Sequence, residues 1–133
     1  MNKRSWFIPV LILAINALAI AIRWNSLQEL IPAHFDLQGN AGGSMSRDTL
    51  IIYPLIGAAV CLVAYMIAHI RQRLQTGLII LTSGICLVLL LSTMVSLTSG
   101  KIPLFMLAEP VILLLAIAAS IVSLIRSRRN NSV

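Results

Sequence analysis

Four apolar runs, at residues 5–23, 50–70, 74–98 and 102–125, constrain this chain more than any other feature in it. Each is near the ~20 residues that an α-helix needs to cross ~30 Å of hydrocarbon at ~1.5 Å per residue. The longest polar stretch is the first loop, residues 24–49, which leaves no length for a separate soluble domain. Composition points the same way: 59% of residues are hydrophobic and 11% charged, too thin a polar shell for a soluble domain of this size. The expectation is an all-α, integral membrane four-helix bundle forming a single membrane domain over residues 1–133.

The net charge of +6 does not point to nucleic acid, because the basic residues flank the apolar runs. With the N-terminus inside, the cytoplasmic flanks hold seven of them: Lys3, Arg4, Arg71, Arg73, Arg126, Arg128 and Arg129. The external flanks then hold three, Arg23, Arg47 and Lys101. The opposite orientation reverses that ratio, so an N-in, C-in topology in a bacterial cytoplasmic (inner) membrane is expected, with loop 24–49 outside. The lipid bilayer is the first partner, and the three C-terminal arginines suit its headgroups.

Residues 1–21 also carry the marks of a cleavable signal: basic Lys3-Arg4, an apolar run, and Ala19-Ile20-Ala21 as a small-x-small site. Cleavage would leave three helices in the same orientation. The length of the run and Asn16 within it favour a retained span, bracketed by Trp6 and Trp24 as interfacial anchors.

Small residues recur at helical spacing, and such stripes let helix backbones approach in lipid. They are Ala14, Ala17 and Ala21 in the first run, then Gly57, Cys61, Ala64 and Ala68 in the second. In the fourth they are Ala116, Ala119 or Ser120, and Ser123. Cys61 and Cys86 fall near the midplane on consecutive antiparallel runs. That placement makes them neighbours in reach, as small packing residues and not as a metal or redox pair.

The first loop is where the sequence becomes specific. Ser26-Leu27-Gln28-Glu29 reads as a capping box, with Leu27, Leu30 and Ile31 following at one-face spacing. That pattern predicts a surface helix of one to two turns, ended by Pro32. Pro32 also biases Ile31 to extended backbone, and Gly39-Asn40 and Gly42-Gly43 mark tight turns, so the loop reads as ordered.

The run Ile31-Pro32-Ala33-His34-Phe35-Asp36-Leu37-Gln38-Gly39 is followed by a polar turn and then Ser46-Arg47, just before an apolar helix. It resembles the bacterial DUF1648 membrane family, whose pattern is approximately Ile-Pro-x-His-aromatic-Asn/Asp-x-x-Gly-x-x-Asp-x-x-x-Ser-Lys between two spans. Pro32, His34, Phe35, Asp36, Gly39 and Ser46 match, and Arg47 stands where Lys is usual. Gly42-Gly43 replaces the acidic residue expected near position 42, so no role of that carboxylate carries over. The resemblance covers about 17 residues and implies a retained first helix. It also implies kinship with SdpI-type immunity proteins, which protect against a secreted peptide toxin and hold a transcriptional repressor at the membrane.

Two constellations carry candidate chemistry. His34 and Asp36 face one side if the segment is extended, where they either share a cation or proton or brace the loop backbone and Arg47. Two ligands fall short of a metal site, so no metal or other cofactor is expected. Glu109 is the sharper anomaly, about seven residues into the fourth run and roughly 10 Å below the interface by helical rise. A carboxyl there should face the bundle interior. Asn16 lies at similar depth in the first run, so the two define a candidate polar pocket beneath the loop, or an interhelical hydrogen bond that fixes packing. Neither a nucleophile motif nor a phosphate-binding loop is present.

Two functional classes follow. One is a non-enzymatic binding, sensing or immunity protein that contacts an extracytoplasmic peptide or ligand through its first loop. The other is a small transport or accessory subunit, working as an oligomer or beside another membrane protein, with Asn16 and Glu109 lining a path.

Overall fold

The computed structural model describes residues 2–32, 36, 38, 40–98 and 103–130, with the side chains of 103–106 excepted. Four long helices account for most of them: α1 (Phe7–Arg23), α2 (Ile52–Ile70), α3 (Gln75–Leu97) and α4 (Pro103–Asn130). All four are long and apolar enough to cross a membrane, so the chain is a multi-pass, four-helix membrane protein. Short 3₁₀ turns precede α1 (Lys3–Trp6) and α2 (Arg47–Ile51), and Gln72–Leu74 joins α2 to α3. Helix α4 continues beyond its apolar run to carry Arg126, Arg128 and Arg129. No glycine or proline interrupts it there, and basic residues complement the carbonyl end of a helix.

Helix α3 is the hub, packing against each of the other three, while α4 rests chiefly on α3. Small residues permit that closeness. The buried residues of α2 are Gly57, Cys61, Ala64 and Ala68, the stripe seen in the sequence. On α4, Ala116 and Ser120 are buried while Ala119 is exposed. Ser120 Oγ donates to the Gly77 carbonyl of α3 at 2.8 Å, and a Cβ on Gly84 would overlap that of Ala116. Sγ of Cys61 lies 3.7 Å from Sγ of Cys86.

The small-residue stripe of α1 is not the face it packs within the chain. Ala14, Ala17 and Ala21 are exposed, and α1 buries Pro9, Asn16 and Ile20 instead. Small size allows a close approach without requiring one, whereas an amide cannot be left facing hydrocarbon, so Asn16 sets the rotation of the helix. Trp6 also departs from expectation. It is buried with Ala64, Ala68 and Ile79, edge-on to Tyr65 with ring centroids 5.4 Å apart, and is no interfacial anchor. The chain start is tied down beside it, where Asn2 N donates to Gln75 Oε1 (3.1 Å) and Gln75 Nε2 donates back to Asn2 O (2.6 Å).

The first loop contains a two-stranded antiparallel hairpin, β1 (Leu30–Pro32) and β2 (Ser44–Ser46), pairing Leu30 with Ser46, Ile31 with Met45 and Pro32 with Ser44. This corrects the expected surface helix. Ser26 turns its hydroxyl back to the Arg23 carbonyl (2.8 Å), ending a 3₁₀ turn at Trp24–Ser26, and Leu27 is already extended with ψ 139°. Pro32 removes a donor and pushes Ile31 toward the β region, so the local capping pattern loses to strand pairing.

Candidate functional site

The loop is fastened to the bundle by an apolar plug. Ile31 of β1 and Leu50 before α2 are buried together with Ile20 of α1 and Leu97 of α3. Trp24, Leu27, Met45 and Tyr53 pack around them. Arg47 closes the base of the hairpin. Its guanidinium lies over the Trp24 ring at 5.1 Å, its Nη1 donates to the Leu27 carbonyl at 3.5 Å, and its backbone N–H donates to Glu29 O at 3.0 Å. Ser46 accepts a hydrogen bond from Asp48 N and so caps the turn that leads into α2.

At the far end, Asp36 organises the tip. Its Oδ1 accepts from the backbone N–H of Gln38 (3.0 Å) and Asn40 (2.8 Å), and its Oδ2 accepts from Asn40 Nδ2 (2.9 Å). Asp36 N donates to Asn40 O at 3.0 Å, closing the turn from the backbone side. Gly43 follows with φ 89°, a conformation that glycine adopts without a steric penalty. Asp36 thus does a turn-forming job that its acceptor-only carboxylate suits. Among the described residues, Trp24 and the Leu27 and Glu29 carbonyls brace Arg47. His34, Phe35 and Gly39 lie outside the described residues.

Beneath the loop is a layer of polar side chains whose depth is set by contacts on α3. Gly57 of α2 is level with Leu13 of α1 and Leu89 of α3. One turn toward the loop from that level lie Asn16, Tyr53 and Thr93. Gly84 opposes Ala116, and about two turns toward the loop from that pair lie Ser92 and Glu109. Glu109 lies close to Ser92, with Tyr53 nearby. Asn16 and Glu109 therefore share a depth. Asn16 lies on the buried face of α1, and Glu109 is half-buried on α4.

Asn16 is fully buried, and neither its Oδ1 nor its Nδ2 has a partner among the described residues. Thr93, at the same level, returns its hydroxyl to the Leu89 carbonyl at 2.9 Å. The arrangement thus holds a half-buried carboxyl on α4 and, on α1, a buried amide with both functions open among the described residues. Trp24, Asn40 and Tyr53 complete the loop and the layer without having been singled out as site residues. Of these, Asn40 carried a usable signal, since Asp and Asn flanking a glycine commonly share turn hydrogen bonds.

Residues 6–58 match the family model described as a domain of unknown function (DUF1648). The match takes in α1, the hairpin and the start of α2, and supports the resemblance drawn from the loop motif. No curated protein and no solved structure matches the chain.

Proposed function

We propose that the chain is a non-catalytic protein of the bacterial cytoplasmic membrane, with both ends inside, that contacts an extracytoplasmic peptide or ligand through its hairpin. The construction of the loop carries this reading. Antiparallel neighbouring helices need about 2–8 residues to connect, as α2 and α3 do through Gln72–Leu74. Residues 24–51 separate α1 from α2, and they are spent on paired strands, a buried plug, an Arg47 clamp and a capped tip. Ordering that many residues costs free energy that a plain connector avoids. The immunity form of the reading comes from the SdpI-type resemblance, and the orientation from the seven-to-three split of flanking Lys and Arg.

Asp36 provides the test. Asparagine keeps a side-chain oxygen for the Gln38 and Asn40 N–H groups but removes the charge and the second oxygen that accepts from Asn40 Nδ2. Asp36→Asn and His34→Ala should each abolish protection of cells challenged with membrane-active peptides, measured against a gene deletion, with unchanged membrane yield and helicity. Full protection in both variants would sink the binding role of the tip.

The buried polar layer favours a second reading, a small transport or accessory subunit in which Asn16 and Glu109 line a path. Glu109→Gln separates the two. It preserves the shape of the side chain and removes only its ionisable proton, so it is silent for a hairpin that docks ligand. It is damaging for a subunit that moves protons or cations.

A further inference from the structure

At the end of the bundle opposite the hairpin, a cavity of about 370 Å³ opens between the α2–α3 connection and the last turns of α4. Its polar rim is Arg71, Arg73 and Arg128, and its apolar wall includes Ile121, Leu124 and Ile125. We propose that this cavity is a binding site for an anionic phospholipid, with the phosphodiester headgroup held by the three guanidinium groups and an acyl chain lying on the α4 wall.

The charge pattern around the rim favours an anionic partner. All four acidic side chains, Glu29, Asp36, Asp48 and Glu109, sit in the loop or in the part of α4 nearest it. None is available to the rim arginines. The carbonyl ends of α2 and α4 each present about half a negative charge, and the start of α3 about half a positive one. Three full positive charges exceed that by far. Arginine also presents planar forked donors that match two phosphate oxygens at once.

The shape selects among anions. A free phosphate uses neither the volume nor the apolar wall. Ile121 and Ile125 are 51% and 59% exposed, on a span that lies in lipid, so the wall is continuous with the surface that acyl chains cover. Ser127 Oγ donates to the Arg73 carbonyl at 3.3 Å, tying α4 to the connection and holding the two sides of the rim together. Basic pockets between helices at a membrane interface commonly hold anionic headgroups.

The test is native mass spectrometry of the purified full chain, with phosphatidylglycerol titrated against phosphatidylcholine of the same acyl composition. The wild type should retain phosphatidylglycerol at least tenfold better. Arg71→Gln/Arg73→Gln/Arg128→Gln should bring the ratio to within about twofold, whereas Lys3→Gln/Arg4→Gln/Arg126→Gln, which removes the same charge elsewhere at that end, should keep it. Equal loss in both triple variants would show bulk attraction without a site. No preference in the wild type, or equal competition by soluble glycerol phosphate, would overturn the lipid assignment. If the first triple variant does not fold, Arg128→Gln alone decides: a loss of threefold or more supports the site, and an unchanged ratio overturns it.

Discussion

Arg47 joins the candidate site to the membrane bundle through one side chain. Its guanidinium reaches the Trp24 ring and the Leu27 carbonyl, while its own backbone holds Glu29. A cation over an indole face contributes about 0.5–1 kcal/mol when exposed and about 2 when desolvated, and Arg47 is only half-buried. Lysine retains the charge over the ring but loses the planar stack and the forked donors. Arg47→Lys should therefore keep most of the protection of the Ile31 and Met45 amides against hydrogen exchange, and Arg47→Ala should lose about tenfold or more. The Lys that the family pattern carries at this position is then a working substitute. Asn16 poses the opposite case at the same scale. Its buried amide has no partner among the described residues, and an unpaired amide costs about 1–3 kcal/mol. Its polarity was plain in the sequence, but the sequence offered no means of telling that Thr93 at its level turns back onto its own helix.

At the scale of helices and strands, close packing between helices is governed by what a small residue faces. Gly84 meets the Ala116 methyl, which is fixed to the α4 backbone, whereas Gly57 meets the tip of the Leu13 side chain, which can swing away. Gly84→Ala should lower stability by about 1–3 kcal/mol in a detergent unfolding titration, because α4 must move as a body. Gly57→Ala should stay within about 1 kcal/mol, since Leu13 has other rotamers. A reversed order would mean that α4 is not seated where Gly84 places it. The spans themselves, and the α2 stripe, were legible because hydrocarbon thickness and helical period act on local sequence. The hairpin was not. Its pairs join Leu30 to Ser46 and Ile31 to Met45 across an intervening tip, while Ser26 and Glu29 mimic a helix start over four residues. The face that α1 buries within the chain was illegible for a related reason, since alanine spacing is a permissive signal and the single amide a compelling one.

For the molecule as a whole, the hairpin has to face the ligand and the arginine-rimmed cavity has to face the opposite leaflet, so orientation links both proposals. The basic residues divide accordingly: Lys3, Arg4, Arg71, Arg73 and the three near the end of α4 gather at one end, with Arg23 and Arg47 by the hairpin. Lateral arrangement leaves no such trace. Four apolar runs of similar length do not say which one is central, and the hub role of α3 emerges only from its packing against the other three. The packing nevertheless supplies a direct test of orientation. Cys61 and Cys86 are both buried, 9% and 0% exposed, and face each other across α2 and α3. A membrane-impermeant maleimide should leave them unmodified, so new cysteines can be read in the otherwise native chain. In intact cells Asn40→Cys at the hairpin should label fully, and Ser132→Cys near the C-terminus should label only after the membrane is opened. Labelling of Ser132→Cys from outside with Asn40→Cys protected would invert the molecule. The hairpin would then face the cytoplasm, where a secreted peptide does not reach it, and the immunity reading would fall. The cavity proposal would survive, because three guanidinium groups beside an apolar wall suit an anionic phospholipid in whichever leaflet they meet.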